Sequence, residues 1–171
     1  MSAIAYRDAV ESDAAELAAF ARENWLATFG HLPYPPDDLA AYLGGAYGEA
    51  IQRAEIVGGE SRYRLALREG AIVGFCMTGA LALPVQDAGG AELHRLYVHE
   101  SVKGAGVADA LMADAIAWAR ARNASALYLS VWEGNGRAQA FYRRHGFVHD
   151  GEWRFMVGGY ADRDFIWKLT L

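Results

Sequence analysis

Leu93-His-Arg-Leu-Tyr-Val98, followed by Lys103-Gly-Ala-Gly-Val-Ala108 and a long amphipathic run, predicts a β-strand, a glycine turn and a helix whose first turn is stripped of bulk. The first N–H groups of a helix have no partner within it. They point outward, the helix dipole adds positive potential, and small residues let a ligand come close. The arrangement is a socket for a phosphate or pyrophosphate. Glycine after a strand also serves as a plain turn, so this segment alone leaves both readings open.

A second segment decides between them. Leu127-Tyr-Leu-Ser-Val-Trp132 reads as a strand, Gly134 and Gly136 mark a loop, and Arg137-Ala-Gln-Ala-Phe-Tyr-Arg-Arg-His-Gly-Phe147 reads as a short helix ended by Gly146. Lys103-x-x-Gly106-x-Ala108 and Asn135-x-x-Ala138-x-x-Phe141-Tyr142-x-x-x-Gly146-Phe147 together resemble two motifs of the GNAT superfamily of N-acetyltransferases, in that family's order. Lys103 departs from the pattern, where Gln or Arg is usual. The resemblance implies an α/β (α+β) fold, a mixed and mostly antiparallel seven-stranded sheet flanked by helices, over one domain spanning residues 1–171.

Bulk properties agree with one enzyme-sized core. The chain has 171 residues, 53% of them hydrophobic and 22% charged, with a formal net charge of -5. That charge argues against nucleic acid as a partner. It suits cationic small molecules, although acidity also serves solubility. Cys76 is the only cysteine and lies in an apolar run, which predicts a buried thiol and no disulfide. The five histidines show no ligand spacing, so no metal is expected. There is no secretory signal and no apolar run of membrane-spanning length, so a soluble, cytoplasmic protein is expected, its oligomeric state left open with a homodimer as the option named.

Along the chain, Ala3 to Asp8 predicts a first strand. A helix follows from the Ser12-Asp13 start to about Thr28, with Leu17, Phe20, Ala21 and Trp25 on one face. Gly30 to Pro36 breaks it. A second helix is expected from Pro36 to about Ile51. Ser61–Glu69 and Ala71–Leu83 predict a hairpin turning at Gly70, and residues 147 to 157 and 164 to 171 predict two final strands.

The resemblance also assigns roles. Acetyl-CoA would lay its pyrophosphate on the amides of Gly104, Ala105, Gly106, Val107 and Ala108, with Lys103 as a point charge or a solvated residue. Gly104 and Gly106 would let the ligand approach where a Cβ would obstruct it. The pantetheine arm would pair with the backbone of Leu96, Tyr97 and Val98 like an added strand, in a gap left where the strand ending at Val131 splays away. Asn135 would contact the ligand, cap the next helix, or do both. Tyr142 would face the thioester sulfur and give the leaving thiolate a proton, with Phe141 filling the core beside it. Reference pKa values of about 10 for Tyr and about 8.5 for a thiol make full transfer uphill by roughly 2 kcal/mol, so hydrogen bonding to sulfur is the alternative.

The acceptor amine must lose a proton before it attacks. Glu92 is the candidate base, with His94 second. Strand alternation places residues 92 and 94 on one side and Arg95 on the other, unless a bulge intervenes. The stretch from Trp25 to Tyr42, with Asp37 and Asp38, and Glu92-Leu-x-Arg-Leu-Tyr-Val98 look like the PaiA-like branch, which is associated with polyamine acetylation. Those aromatics and aspartates read equally as a core and a helix start. The expected activity is acetyl-CoA-dependent transfer to a small primary amine by direct attack in a ternary complex. The alternatives are a protein amino terminus or lysine as acceptor, and a non-catalytic CoA-binding regulatory module.

Overall fold

The computed structural model describes residues 3–171. Seven strands form one sheet in the order β1-β2-β3-β4-β5-β7-β6, where β1 is Ile4–Asp8, β2 Arg62–Arg68, β3 Ala71–Ala80, β4 Ala91–Val98, β5 Ala126–Trp132, β6 Val148–Val157 and β7 Tyr160–Thr170. Every pairing is antiparallel except β4 with β5. The helices are α1 (Ala14–Phe29), α2 (Pro36–Tyr47), α3 (Glu49–Gly58), α4 (Val107–Ala121) and α5 (Gly136–Arg144). No described helix is long and apolar enough to cross a membrane.

The two sheet faces carry separate cores. Alternate strand residues Leu93, Leu127, Leu129, Val131 and Trp167 pack with Val107, Leu111, Met112, Ala115 and Ala119 of α4. The opposite face carries Leu65, Leu67, Phe75 and Met77, which pack against Leu17, Phe20, Ala21 and Trp25 of α1. That helical stripe is the one the 3.6-residue period indicates. Cys76 is buried beside α4, and burial pushes its thiol up to about 12.

Three local expectations change. The helix expected from Pro36 to Ile51 is two helices, broken at Gly48, whose extended backbone (φ -69°, ψ 147°) ends α2. Gly44 and Gly45, which look like breakers, lie inside α2 with open space around them. The final strand begins at Tyr160, four positions before Asp164, because pairing with β6 holds residues 160–163 in the sheet. A bulge falls in β4: Arg95 pairs with Met77 and Leu93 with Thr78, leaving His94 as the extra residue. Parity therefore flips there. Arg95 lies with Tyr97 on the α1 face, where its guanidinium sits 4.7 Å from the Tyr47 ring and donates to the Tyr63 hydroxyl at 2.7 Å. Leu93, Leu96 and Val98 share the α4 face.

Candidate active site

The central feature is a parting of strands. β4 and β5 pair only at Ala91–Leu127 and Glu92–Tyr128, although β4 runs on to Val98 and β5 to Trp132. Beyond Glu92 the β4 backbone keeps β3 on one side and has no strand on the other. Leu96, Tyr97 and Val98 thus offer a backbone edge that an extended amide chain can join, while their side chains are used in the two cores.

A short 3-10 turn, Glu100–Val102, leads from β4 to the glycine loop and α4. Gly104 (φ 81°) and Gly106 (φ 77°) are left-handed, and a Cβ on either would meet no protein atom within 4 Å. Glycine is required first by backbone conformation. The absence of a Cβ then leaves the space over the loop open. The Ala105 N–H donates to the Val102 carbonyl at 3.2 Å, so the expected run of free amides from 104 to 108 is interrupted there. Gly104, Gly106, Val107 and Ala108 have no backbone acceptor for their N–H groups among the described residues. Lys103 is exposed beside them, and Val107 is buried and anchors the loop.

Asn135 caps α5: its side-chain oxygen accepts the Ala138 N–H at 3.1 Å. On α5, Phe141 and Tyr142 both pack against the α4-face core, and the residue that fills that core is Phe147, whose ring lies 6.0 Å from Tyr142. Phe141 instead lies against His145, 4.6 Å between centroids, and His145 Nε2 bonds Asp109 of α4 at 2.9 Å. The Tyr142 hydroxyl has no protein hydrogen-bond partner among the described residues. Burial alone pushes it up to about 12. Tyr142 is therefore a neutral O–H donor at any physiological pH, and full proton transfer to a free thiolate is uphill by on the order of 5 kcal/mol.

The other face of the parting strands is acidic. Glu92 is 7% exposed and fully engaged: Oε2 accepts the amides of Ala82 (2.8 Å) and Leu83 (3.1 Å), and Oε1 lies 3.1 Å from His94 Nδ1. His94 Nε2 meets the Ala80 carbonyl at 3.0 Å. Next to β5, Asp162 and Asp164 of β7 are both 6% exposed. The Tyr34 hydroxyl donates to Asp162, while Asp164, opposite Trp132 in the register, lies diagonally across from Ser130 on the same face. Burial, with Asp162 adding to it, pushes Asp164 up to about 7. Ser130 and these aspartates went unnoticed in the sequence, although two acids at alternate positions of an otherwise apolar strand mark one face of it. Trp25, Tyr34 and Tyr42, expected to be either core or cation-binding aromatics, pack on one another, while Asp37 is exposed and Asp38 bonds the Gly159 amide at 3.0 Å.

This architecture is shared. Residues 17–147 match the Acetyltransferase (GNAT) family. An uncharacterized N-acetyltransferase of Lactobacillus delbrueckii subsp. lactis is 30% identical over 168 residues, covering 94% of each chain. One from Mycobacterium tuberculosis strain H37Rv is 33% identical over 160 residues, 91% of this chain and 96% of its own. The crystal structure of PaiA N-acetyltransferase from Thermoplasma acidophilum in complex with coenzyme A superposes with a TM-score of 0.80 at 21% identity, over 99% of both chains. With its parted strands, its glycine loop and these relatives, the chain belongs to the GNAT family and is an acetyl-CoA-dependent N-acetyltransferase.

Proposed function

We propose that the protein transfers the acetyl group of acetyl-CoA to a primary amine of a small cationic molecule, with polyamines the leading class, by direct attack in a ternary complex. The observation that carries this reading is the division of the gap between β4 and β5. A neutral, unpartnered Tyr142 hydroxyl lies on the α4 face, and the carboxylates of Glu92, Asp162 and Asp164 lie on the other.

On this reading the free amides of Gly104, Gly106, Val107 and Ala108 receive the pyrophosphate, with Lys103 and the α4 N-terminus adding positive potential. The backbone of Leu96–Val98 pairs with the pantetheine arm and fixes the thioester in the gap. Asn135 acts first as the cap that orients α5. The amine approaches from the acidic face of Glu92, Asp162 and Asp164, which attracts a cation and accepts its proton. The sulfur leaves toward Tyr142, whose hydroxyl stabilises the developing thiolate by a hydrogen bond. Amine and leaving group are thus handled on opposite faces, so no covalent enzyme intermediate is needed.

Steady-state kinetics at varied acetyl-CoA with spermidine, spermine, small amino acids and short peptides test the reading. Intersecting initial-velocity patterns and preferred turnover of polyamines are expected. Peptides with a free amino terminus turning over far faster than every polyamine would replace the small-amine reading with a protein acceptor.

A further inference from the structure

The acceptor-side face holds a carboxyl whose surroundings differ from those of the other two. Glu92 has both oxygens engaged by loop amides and His94. Asp162 takes the Tyr34 hydroxyl. Asp164 has neither a backbone amide nor a charged donor among the described residues, and Ser130 of β5 is its diagonal neighbour on the same face. Among the described residues no cation neutralises it: the adjacent Arg163 bonds Glu133 and Glu152 instead. The groups facing it are Asp162 on its own strand, Tyr34 from the segment between α1 and α2, Ser130 and Trp132 on β5 with His31 lying edge-on to Trp132, and Trp153 on β6. The Trp153 indole N–H is itself buried without an acceptor, a second polar group on this face left open to a bound partner.

Position matters as much as environment. The last β4–β5 pair is Glu92–Tyr128. Ser130 lies two residues further along β5 on the same face, about 7 Å beyond that pair, where β5 borders the gap. Ser130 is a half-buried residue, whereas Asp164 behind it is buried.

We propose that Asp164, acting through the Ser130 hydroxyl, takes the proton that the acceptor amine must lose. This rests on the amine-acetylation reading above and adds the residues that serve it. The ammonium N–H bond breaks and its proton passes to the Ser130 oxygen as the Ser130 proton passes to the Asp164 carboxylate. The freed nitrogen lone pair forms the C–N bond to the thioester carbonyl carbon. The C–S bond then breaks with its electron pair on sulfur, which Tyr142 holds by a hydrogen bond. The second proton of the attacking nitrogen passes through water to that sulfur, leaving a neutral amide and the free thiol, and Asp164 returns its proton to water. Ser130 touches the substrate, and Asp164 is the positioning and proton-receiving group behind it. A carboxyl that titrates near neutrality matches this task, because a general base works best when its pKa lies near the operating pH.

The test is the pH dependence of kcat/KM for the best-turned-over amine, from about pH 5.5 to 9.5, in the parent protein and in Asp164→Asn, Ser130→Ala and Glu92→Gln, with acetyl-CoA affinity measured alongside by calorimetry. The parent should show an acid limb near pH 7. Asp164→Asn and Ser130→Ala should lose that limb and about 10²-fold or more in rate at pH 8. Both profiles should then climb with unit slope toward the amine's own pKa, with acetyl-CoA affinity within twofold. Glu92→Gln should keep the limb. Should Asp164→Asn not fold, Ser130→Ala, a partly exposed site on β5, gives the same reading. Persistence of the limb in both variants, or its loss only in Glu92→Gln, would overturn the proposal while leaving amine acetylation standing. Failure of the parent to acetylate any amine would overturn both.

Discussion

The Tyr34 hydroxyl donates to Asp162 Oδ2 at 2.5 Å, joining the segment between α1 and α2 to β7 across 128 positions of sequence. The Gly159 amide, at the β6–β7 turn, donates in turn to Asp38 Oδ2 of α2 at 3.0 Å. These two bonds fasten α2 and the segment before it to the β6–β7 hairpin, and both would open if those elements parted.

Tyr34→Phe should therefore leave the Asp162 carboxylate, 6% exposed, without its donor. A buried acceptor so deprived costs about 1–3 kcal/mol. Thermal unfolding should shift down by several degrees. The KM for the amine should rise by more than the KM for acetyl-CoA, because on the proposed reading the loosened elements border the acceptor side and not the glycine loop. Equal changes in both constants would disconnect this bond from the acceptor.

Tyr142→Phe removes a hydroxyl that no described residue bonds, so stability should stay within about 1 kcal/mol of the parent. The chemical step should slow by about 10²-fold if the hydroxyl stabilises the thiolate as a preorganised donor. Because burial holds this hydroxyl near a pKa of about 12, the parent should show no loss of activity from its ionisation below about pH 10.5. Single-turnover rates across pH check both points.

Gly106→Ala places a side chain at φ 77°, a left-handed conformation that costs an L-residue about 1–2 kcal/mol. Its Cβ would contact no protein atom within 4 Å. A fall in coenzyme affinity beyond this strain then reports crowding of the ligand. Gly106→Glu should abolish binding by adding an anion to an anion socket, with the fold retained. Calorimetric titration with acetyl-CoA, beside a circular dichroism spectrum, decides it.

Asp164 makes stability depend on pH in the sense opposite to a salt-bridged acid. Its folded-state pKa, about 7, lies above the ordinary carboxyl value of 3.8, so the folded chain holds the proton more tightly than the unfolded one. The penalty is absent below pH 3.8, grows as pH rises, and is complete above pH 7, reaching on the order of 4 kcal/mol at most. Asp164→Asn should accordingly stabilise the protein at pH 8 and have little effect at pH 4. Denaturant unfolding of parent and variant at the two pH values measures the difference.

The strand, glycine turn and helix of residues 91–121 were legible in the chain because every signal for them is local. Alternation marks β4, the glycines supply φ values of 81° and 77°, and small residues follow at the α4 N-terminus. The apolar stripe of α1 was legible for the same reason, as was the short helix carrying Tyr142. The break at Gly48 was not, since Gly44 and Gly45 offered an equally good local signal and only the docking of α2 and α3 distinguishes them.

Tertiary structure alone decided the gap between β4 and β5. Whether β4 and β5 stay paired past Glu92 and Tyr128 depends on strands separated by a whole crossover helix, and no local period records it. The bulge at His94 is likewise a property of the register between β3 and β4, and it moves Arg95 to the face that alternation denies it. Asp164 meets Ser130 only because β7 returns antiparallel beside β5. Residue identity fixes what each side chain can do. Which side chains share a face, at what burial and therefore at what proton affinity, is set by long-range pairing that the chain acquires only on folding.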